Sequence, residues 1–146
     1  MGDEGVKRTL EEHIRDMLKV QLGITDEDLD RLSPGLQKLM SAVPEAADWK
    51  IIAEVTDSKY CFAGCKVGDK IVIYPSPLLN VEESTCPLCM AAIAPLMERM
   101  HIMWDRVVDG RDPNEAWVTY SQCFDPGVEH GGLGRVVFKV YAEKVK

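Results

Sequence analysis

Five cysteines are the residues of this chain best equipped for chemistry. They fall as Cys61-x3-Cys65, Cys86-x2-Cys89 and a single Cys123. The first residues, Met1-Gly-Asp-Glu-Gly-Val6, are too polar for a signal peptide, and Val6 stands where a myristoylation signal needs Ser or Thr. An odd cysteine count in such a chain argues against a disulfide framework and predicts a cytoplasmic protein. In a reducing compartment, cysteines grouped by spacing are read first as metal ligands, then as redox thiols, then as core. Zinc takes four thiolates at ~2.3 Å, and iron–sulfur clusters are held by four cysteines as well. Cys-x2-Cys serves both metals. The Cys61-x3-Cys65 gap is wider than the usual two-residue knuckle but remains within the range zinc accepts.

Thiol chemistry without a metal is the alternative. Cys86-Pro-Leu-Cys89 at a helix start has the local form of a thiol–disulfide exchange motif. A thioredoxin-like fold, however, finishes with a helix, whereas this sequence finishes with a strand pattern. Cys123, Asp125 and His130 are close enough in sequence for a Cys–His nucleophile, although a His beside glycines reads more simply as a loop residue. His101 reads as a core or boundary histidine, and His13 as solvated surface. Each cysteine also has a bland reading, since free Cys is among the most buried residue types.

The elements that position these residues change character along the chain. Residues 1–48 read as a helical arm. Thr9 with Glu12 forms a capping box, and Leu10, Ile14, Met17, Leu18 and Leu22 follow a helical stripe that Gly23 stops. Thr25 with Asp28 opens a short helix. Ser33-Pro34 opens another, and Pro44 ends the region. From Trp49 the period alternates. Strands are predicted over 49–55 and 70–74, with a loop holding Cys61 and Cys65 between them and a second loop at Pro75, Pro77 and Asn80. Thr85 with Pro87 marks a helix start that places Cys86 and Cys89 in the first turn. Met90, Ile93, Met97, Met100 and Trp104 form the apolar face of that helix, and Pro95 predicts a kink. Strands over 116–120 and 135–141 follow, with Cys123 at a strand end and a glycine-rich loop over 125–134 between them. The expected fold class is α+β: a helical arm over 1–48, then a small ββαββ domain over 49–146 with a mainly antiparallel sheet.

Composition narrows the function classes. A net charge of −7 repels phosphate backbones, and basic residues are scattered, which argues against nucleic-acid binding. The longest run free of polar residues, Cys86 to Met97, is twelve residues, far short of the ~20 needed to cross a bilayer. The glycines over 125–134 do not spell a phosphate-binding fingerprint.

Cys61-Phe-Ala-Gly-Cys65-Lys-Val-Gly-Asp69, Cys86 ahead of a helix, and Cys123-Phe-Asp125 followed by Arg135-Val-Val-Phe138 together resemble a set of small uncharacterised prokaryotic proteins, found largely in anaerobes. Their pattern is roughly Cys-x-x-Gly-His-x-x-Gly-Asp, a middle Cys, then Cys-x-Asp ahead of a Val-Val-Phe strand. The likeness covers about residues 49–142 and leaves the helical arm outside. It carries no established activity, but it singles out Cys61, Cys86, Cys123 and Asp125. It departs at Cys65, where the pattern has His more often, and at Cys89, where it often has an aromatic residue. The resemblance therefore makes Cys65 the first candidate for a cysteine that is not a ligand. Its anaerobic setting favours an oxygen-sensitive cluster over zinc.

The sequence thus predicts a cysteine-ligated metal protein, with four of Cys61, Cys65, Cys86, Cys89 and Cys123 as ligands. The favoured form is a [4Fe–4S] accessory or electron-transfer subunit whose helical arm docks on a larger partner or on a second copy. A structural Zn2+ interaction module is the alternative, and a thiol-dependent enzyme using Cys86 and Cys89, or Cys123, is the third.

Overall fold

The computed structural model describes residues 10–75 and 77–145. The chain divides into two compact units, with the boundary between Pro44 and Glu45.

The first unit holds α1 (Glu12–Leu22), α2 (Asp26–Asp30) and α3 (Pro34–Ser41), and a single turn, α4 (Val43–Ala46), runs across the boundary. Local chemistry sets the ends. Gly23 closes α1 in the left-handed region at φ 67°, its N–H bonded to the Lys19 carbonyl. Thr25 and Ser33 cap α2 and α3 by accepting the N–H groups of Asp28 and Leu36. The capping role of Thr9 lies outside the described residues. Leu10, Ile14, Leu18 and Leu29 are buried together, with Met17, Ile24, Leu32 and Met40 packed around them. Arg15 reaches Asp26 and Asp30 at 2.9 and 2.8 Å, which fixes α1 against α2. The expected docking arm is thus a helical unit with a core of its own. Pro44 is the last residue of the first unit, as expected, although the helical turn runs on to Ala46. It sits in the first turn of α4, where a missing N–H costs nothing.

The second unit carries β1 (Trp49–Lys59), β2 (Lys70–Tyr74), β3 (Leu78–Asn80), α5 (Met90–Val108), β4 (Tyr120–Gln122) and β5 (Arg135–Lys144). The strands form one antiparallel sheet in the order β3-β2-β1-β5-β4. Alternation puts Ile51, Ala53, Val55, Ile71, Ile73, Phe138, Val140 and Ala142 into one core with Ala92, Leu96, Met100 and Met103 of α5. Register follows this pattern, with Ala53 opposite both Ile71 and Val140.

The α+β class and the antiparallel sheet match the sequence reading, but the order of elements differs. Leu78–Asn80, read as loop, pairs with Val72–Tyr74 as an edge strand, giving βββαββ. The strand β1 runs on past Val55 to Lys59 through a bulge between Val55 and Asp57, because β5 continues to pair with it. The strand expected over 116–120 is displaced to Tyr120–Gln122. Upstream of it, the Asn114 side chain takes a strand's place, accepting the Ala142 N–H at 2.8 Å and donating to the Ala142 carbonyl at 3.0 Å. The apolar face of α5 is also rotated from the expected one. Ala92, Leu96, Met100, Met103 and Val107 are buried, whereas Met90 and Met97 are exposed. The helix is apolar on more than one face, so its period alone left the phase open. Among the described residues, no helix is long and apolar enough to cross a membrane.

Candidate functional site

The bulged end of β1 leads straight into the first cysteine pair. Tyr60 takes a positive φ of 53°, rare for a residue with a side chain, and turns the chain out of the strand. The segment 61–65 folds back on itself, with Gly64 N–H bonded to the Cys61 carbonyl at 3.1 Å and Gly64 in the left-handed region that a Cβ disfavours. Ser58 donates its hydroxyl to the Cys65 carbonyl at 2.6 Å, which pulls Cys65 inward. Gly68 N–H and the Asp69 carbonyl then pair with Val55, closing the loop onto β1 just before β2 begins.

The second pair is brought to the first by β2. The Lys70 carbonyl accepts the N–H groups of both Thr85 and Cys86, and the Thr85 hydroxyl accepts the Lys70 N–H. Cys86 is thereby fixed beside the strand that follows the Cys61–Cys65 loop. Both Cys65 and Cys86 are buried, and their sulfurs lie 2.7 Å apart. Cys89 is half-buried against the same core. The helix α5 starts at Met90, several residues later than the start expected at Thr85 and Pro87, so Cys89 is its N-cap residue and Cys86 precedes the helix altogether. Neither thiol occupies the first turn.

Their electrostatics differ from one thiol to the next. Burial pushes the Cys61 thiol up. The backbone amides of Cys65, Ala63 and Gly64, together with the Cys65 thiol, outweigh that and hold it below the ordinary thiol range. At Cys65 burial is the main cause of a strongly raised value, reinforced by the Cys86 and Cys61 thiols. Burial also raises Cys86, against the opposing hydrogen bond from Cys65, with Asp69, Cys61 and Cys89 adding to the rise. Cys61 is the thiolate-prone member, and Cys65 and Cys86 are its protonated neighbours.

Cys123 stands differently. It extends the pairing of β4, its N–H donating to the Val136 carbonyl at 3.1 Å. Its sulfur accepts the Val136 N–H at 3.4 Å and lies 3.7 Å from the Asp125 carbonyl. The strand segment is tied to α5 by a bond that Pro95 makes available. Pro95 has no N–H to give to the Ala91 carbonyl four residues back, and Phe124 N–H takes that carbonyl at 3.1 Å. The helix runs through Pro95 as one element, so the predicted kink site is also the point where the Cys123 segment is anchored. The sequence alone does not reveal that link.

A Cys123–His130 nucleophile is not assembled. The Asp125 carboxylate accepts N–H groups from Gly127, Leu133 and Gly134, which keeps it below the usual carboxylate range, and His130 is exposed. His101 is exposed too, its Nδ1 bonded to the Met97 carbonyl at 2.8 Å, and His13 lies 3.3 Å from Glu11 on the surface.

Among the described residues, no three His, Cys, Asp or Glu side chains stand as the ligand set of a metal ion. The Cys65 and Cys86 sulfurs lie 2.7 Å apart. Thiolates bound at ~2.3 Å to one tetrahedral ion sit ~3.8 Å apart, so this pair has to open by about 1 Å to share an ion. The donor set itself suits a soft metal: thiols from two loops, Cys61 supported by backbone amides, and Cys65 central to the group. No protein-family model, curated protein or solved structure matches the chain.

Proposed function

We propose that the chain is a small metal-binding protein whose centre is built from Cys61, Cys65, Cys86 and Cys89, and that it takes a single zinc-type ion. The observation carrying this reading is the contact of the Cys65 and Cys86 sulfurs, with Cys61 acting on both and Cys89 on Cys86. A cubane cluster keeps its cysteine sulfurs well apart, because iron and sulfide corners lie between them. One tetrahedral ion brings four sulfurs almost into contact. The spacing therefore favours the zinc-type ion over the [4Fe–4S] cluster, whose support is the resemblance to proteins of anaerobes. Cys123, held by backbone groups of Val136 and Asp125, serves as a strand residue beside the centre. The ion's role here is structural: it would join the 61–65 loop to the residues before α5, and the helical unit would supply the docking surface for a protein partner.

Metal analysis with an ultraviolet–visible spectrum, on protein purified without oxygen or chelator, tests the reading. One zinc per chain on a colourless protein is the expected result. Iron with acid-labile sulfide and broad absorption near ~400 nm would replace the ion by a cluster. A protein with neither metal would remove the metal reading altogether.

A further inference from the structure

We propose that Cys61, Cys65 and Cys86 form a three-thiol relay that passes oxidation from the surface inward, ends as a Cys65–Cys86 disulfide, and in that state excludes metal from the centre. The last clause rests on the metal reading above; the relay does not.

The arrangement is directional. Cys61 is half-buried on an exposed loop, flanked by Phe62 at 97% exposure, whereas Cys65 and Cys86 are 5% and 3% exposed. A small oxidant in solvent therefore meets Cys61 first. Cys65 neighbours Cys61 through the 61–65 turn and touches Cys86 at 2.7 Å. Cys86 is fixed from behind by the Lys70 carbonyl. Cys65 is thus the middle member, and the pair in closest contact is the buried one.

The oxidant class is a hydroperoxide, with hydrogen peroxide as the simplest case. The Cys61 sulfur attacks one peroxide oxygen and the O–O bond breaks. Cys61 becomes a sulfenic acid, and the other oxygen leaves as water with the thiol proton. The Cys65 sulfur then attacks the Cys61 sulfur. An S–S bond forms, the S–O bond breaks, and hydroxide leaves as a second water with the Cys65 proton. Finally the Cys86 sulfur attacks Cys65, the Cys61–Cys65 bond breaks, and Cys61 regains a proton from Cys86 as a free thiol. One peroxide has taken two electrons, from Cys65 and Cys86. Two considerations favour this end point over Cys61–Cys65. The Cys65 and Cys86 sulfurs already lie in contact, and a bond between them is buried and so shielded from further exchange.

The test uses the full chain, reduced and freed of metal, and one equivalent of hydrogen peroxide. Free thiols are then alkylated, and an unreduced digest is read by mass spectrometry. The expected product links the Cys65 and Cys86 peptides and leaves Cys61 alkylated. Cys61→Ser should slow that product about tenfold, since the buried pair must then meet peroxide directly. Cys86→Ser should stop at Cys61–Cys65. A dominant Cys86–Cys89 or Cys61–Cys65 product in the unsubstituted chain, or a rate indifferent to Cys61→Ser, overturns the relay. Zinc titration of the reduced and oxidised chains separates the two readings. Zinc binding by the reduced form alone supports exclusion, and equal binding by both overturns it. If neither form binds zinc, the metal reading and the exclusion fall together, and the cross-link map still decides the relay.

Discussion

Gly134 lies so close to Tyr60 that a Cβ on the glycine would sit 2.5 Å from the Tyr60 carbonyl oxygen and 3.1 Å from the Cys61 Cα. Both partners are backbone, so neither can swing aside. The close approach sets where the chain leaves β1 and hence where Cys61 stands. Gly134→Ala should push the Tyr60–Cys61 segment outward and cost about 2 kcal/mol, the usual scale for overpacking. Urea unfolding measures the cost, and the rate of Cys61 alkylation reports the displacement. A Gly134→Ala protein with unchanged stability and unchanged Cys61 reactivity would remove the constraint assigned to this contact.

The three thiols should also react in a fixed order. In the metal-free, reduced protein, limiting iodoacetamide should modify Cys61 well before Cys65 or Cys86. Exposure and thiolate character both favour it. Because its titration is lowered, Cys61 should keep its reactivity at a pH where an ordinary thiol is largely protonated. Peptide mapping over a pH series reads both effects, and equal labelling of the three sites contradicts the assignment.

Cys65 and Cys86 bear on stability with the opposite sign. Their folded-state values are raised, mainly by burial. Their contribution is therefore complete below the unfolded thiol value. It is lost as pH rises from there toward the folded value, because the unfolded chain sheds those protons first. Metal-free protein under reductant should lose on the order of 2 kcal/mol between neutral pH and about pH 10. Cys86→Ser should flatten that slope. A bound metal reverses the preference, since a coordinating thiol is already deprotonated, so the metal-loaded protein should show a much shallower loss.

Single serine substitutions sort the ligands. Cys86→Ser should lower both metal content and stability, whereas Cys123→Ser should leave metal content near that of the unsubstituted chain. Purified Cys86→Ser with its full complement of metal would strike that residue from the ligand set. Loss of metal from Cys123→Ser would return Cys123 to it.

Some of this arrangement was legible in the residues and some was not, for physical reasons. Thr25, Ser33-Pro34 and Gly23 act within one turn of themselves, so their caps can be read locally. The alternation of residues 135–141 survives because that strand buries one face in the core with α5. The full length of β1 depends on β5 continuing beside it, and the position of β4 depends on an asparagine side chain replacing a strand. Those are long-range matters. At the centre, spacing alone grouped the cysteines as 61 with 65 and 86 with 89. The fold adds the cross-pair contact of Cys65 with Cys86, because Lys70 binds the residues before α5. It also sets Cys123 apart, among backbone partners.

Pro95 offers a test of how the Cys123 segment is held. A proline inside a helix costs about 3 kcal/mol relative to alanine, yet α5 keeps one at its sixth position. The Ala91 carbonyl it frees is taken by Phe124 N–H. In Pro95→Ala the new amide at position 95 would compete for that carbonyl from within the helix. The helix itself should gain stability, while the Phe124 amide loses part of its only described backbone partner. Two readouts should then move in opposite directions: global unfolding shifts to higher denaturant, and Phe124 amide hydrogen exchange becomes faster, with Cys123 more readily alkylated. If Phe124 exchange stays slow in Pro95→Ala, the segment is held by the Cys123–Val136 pairing instead, and the proline has no part in positioning it.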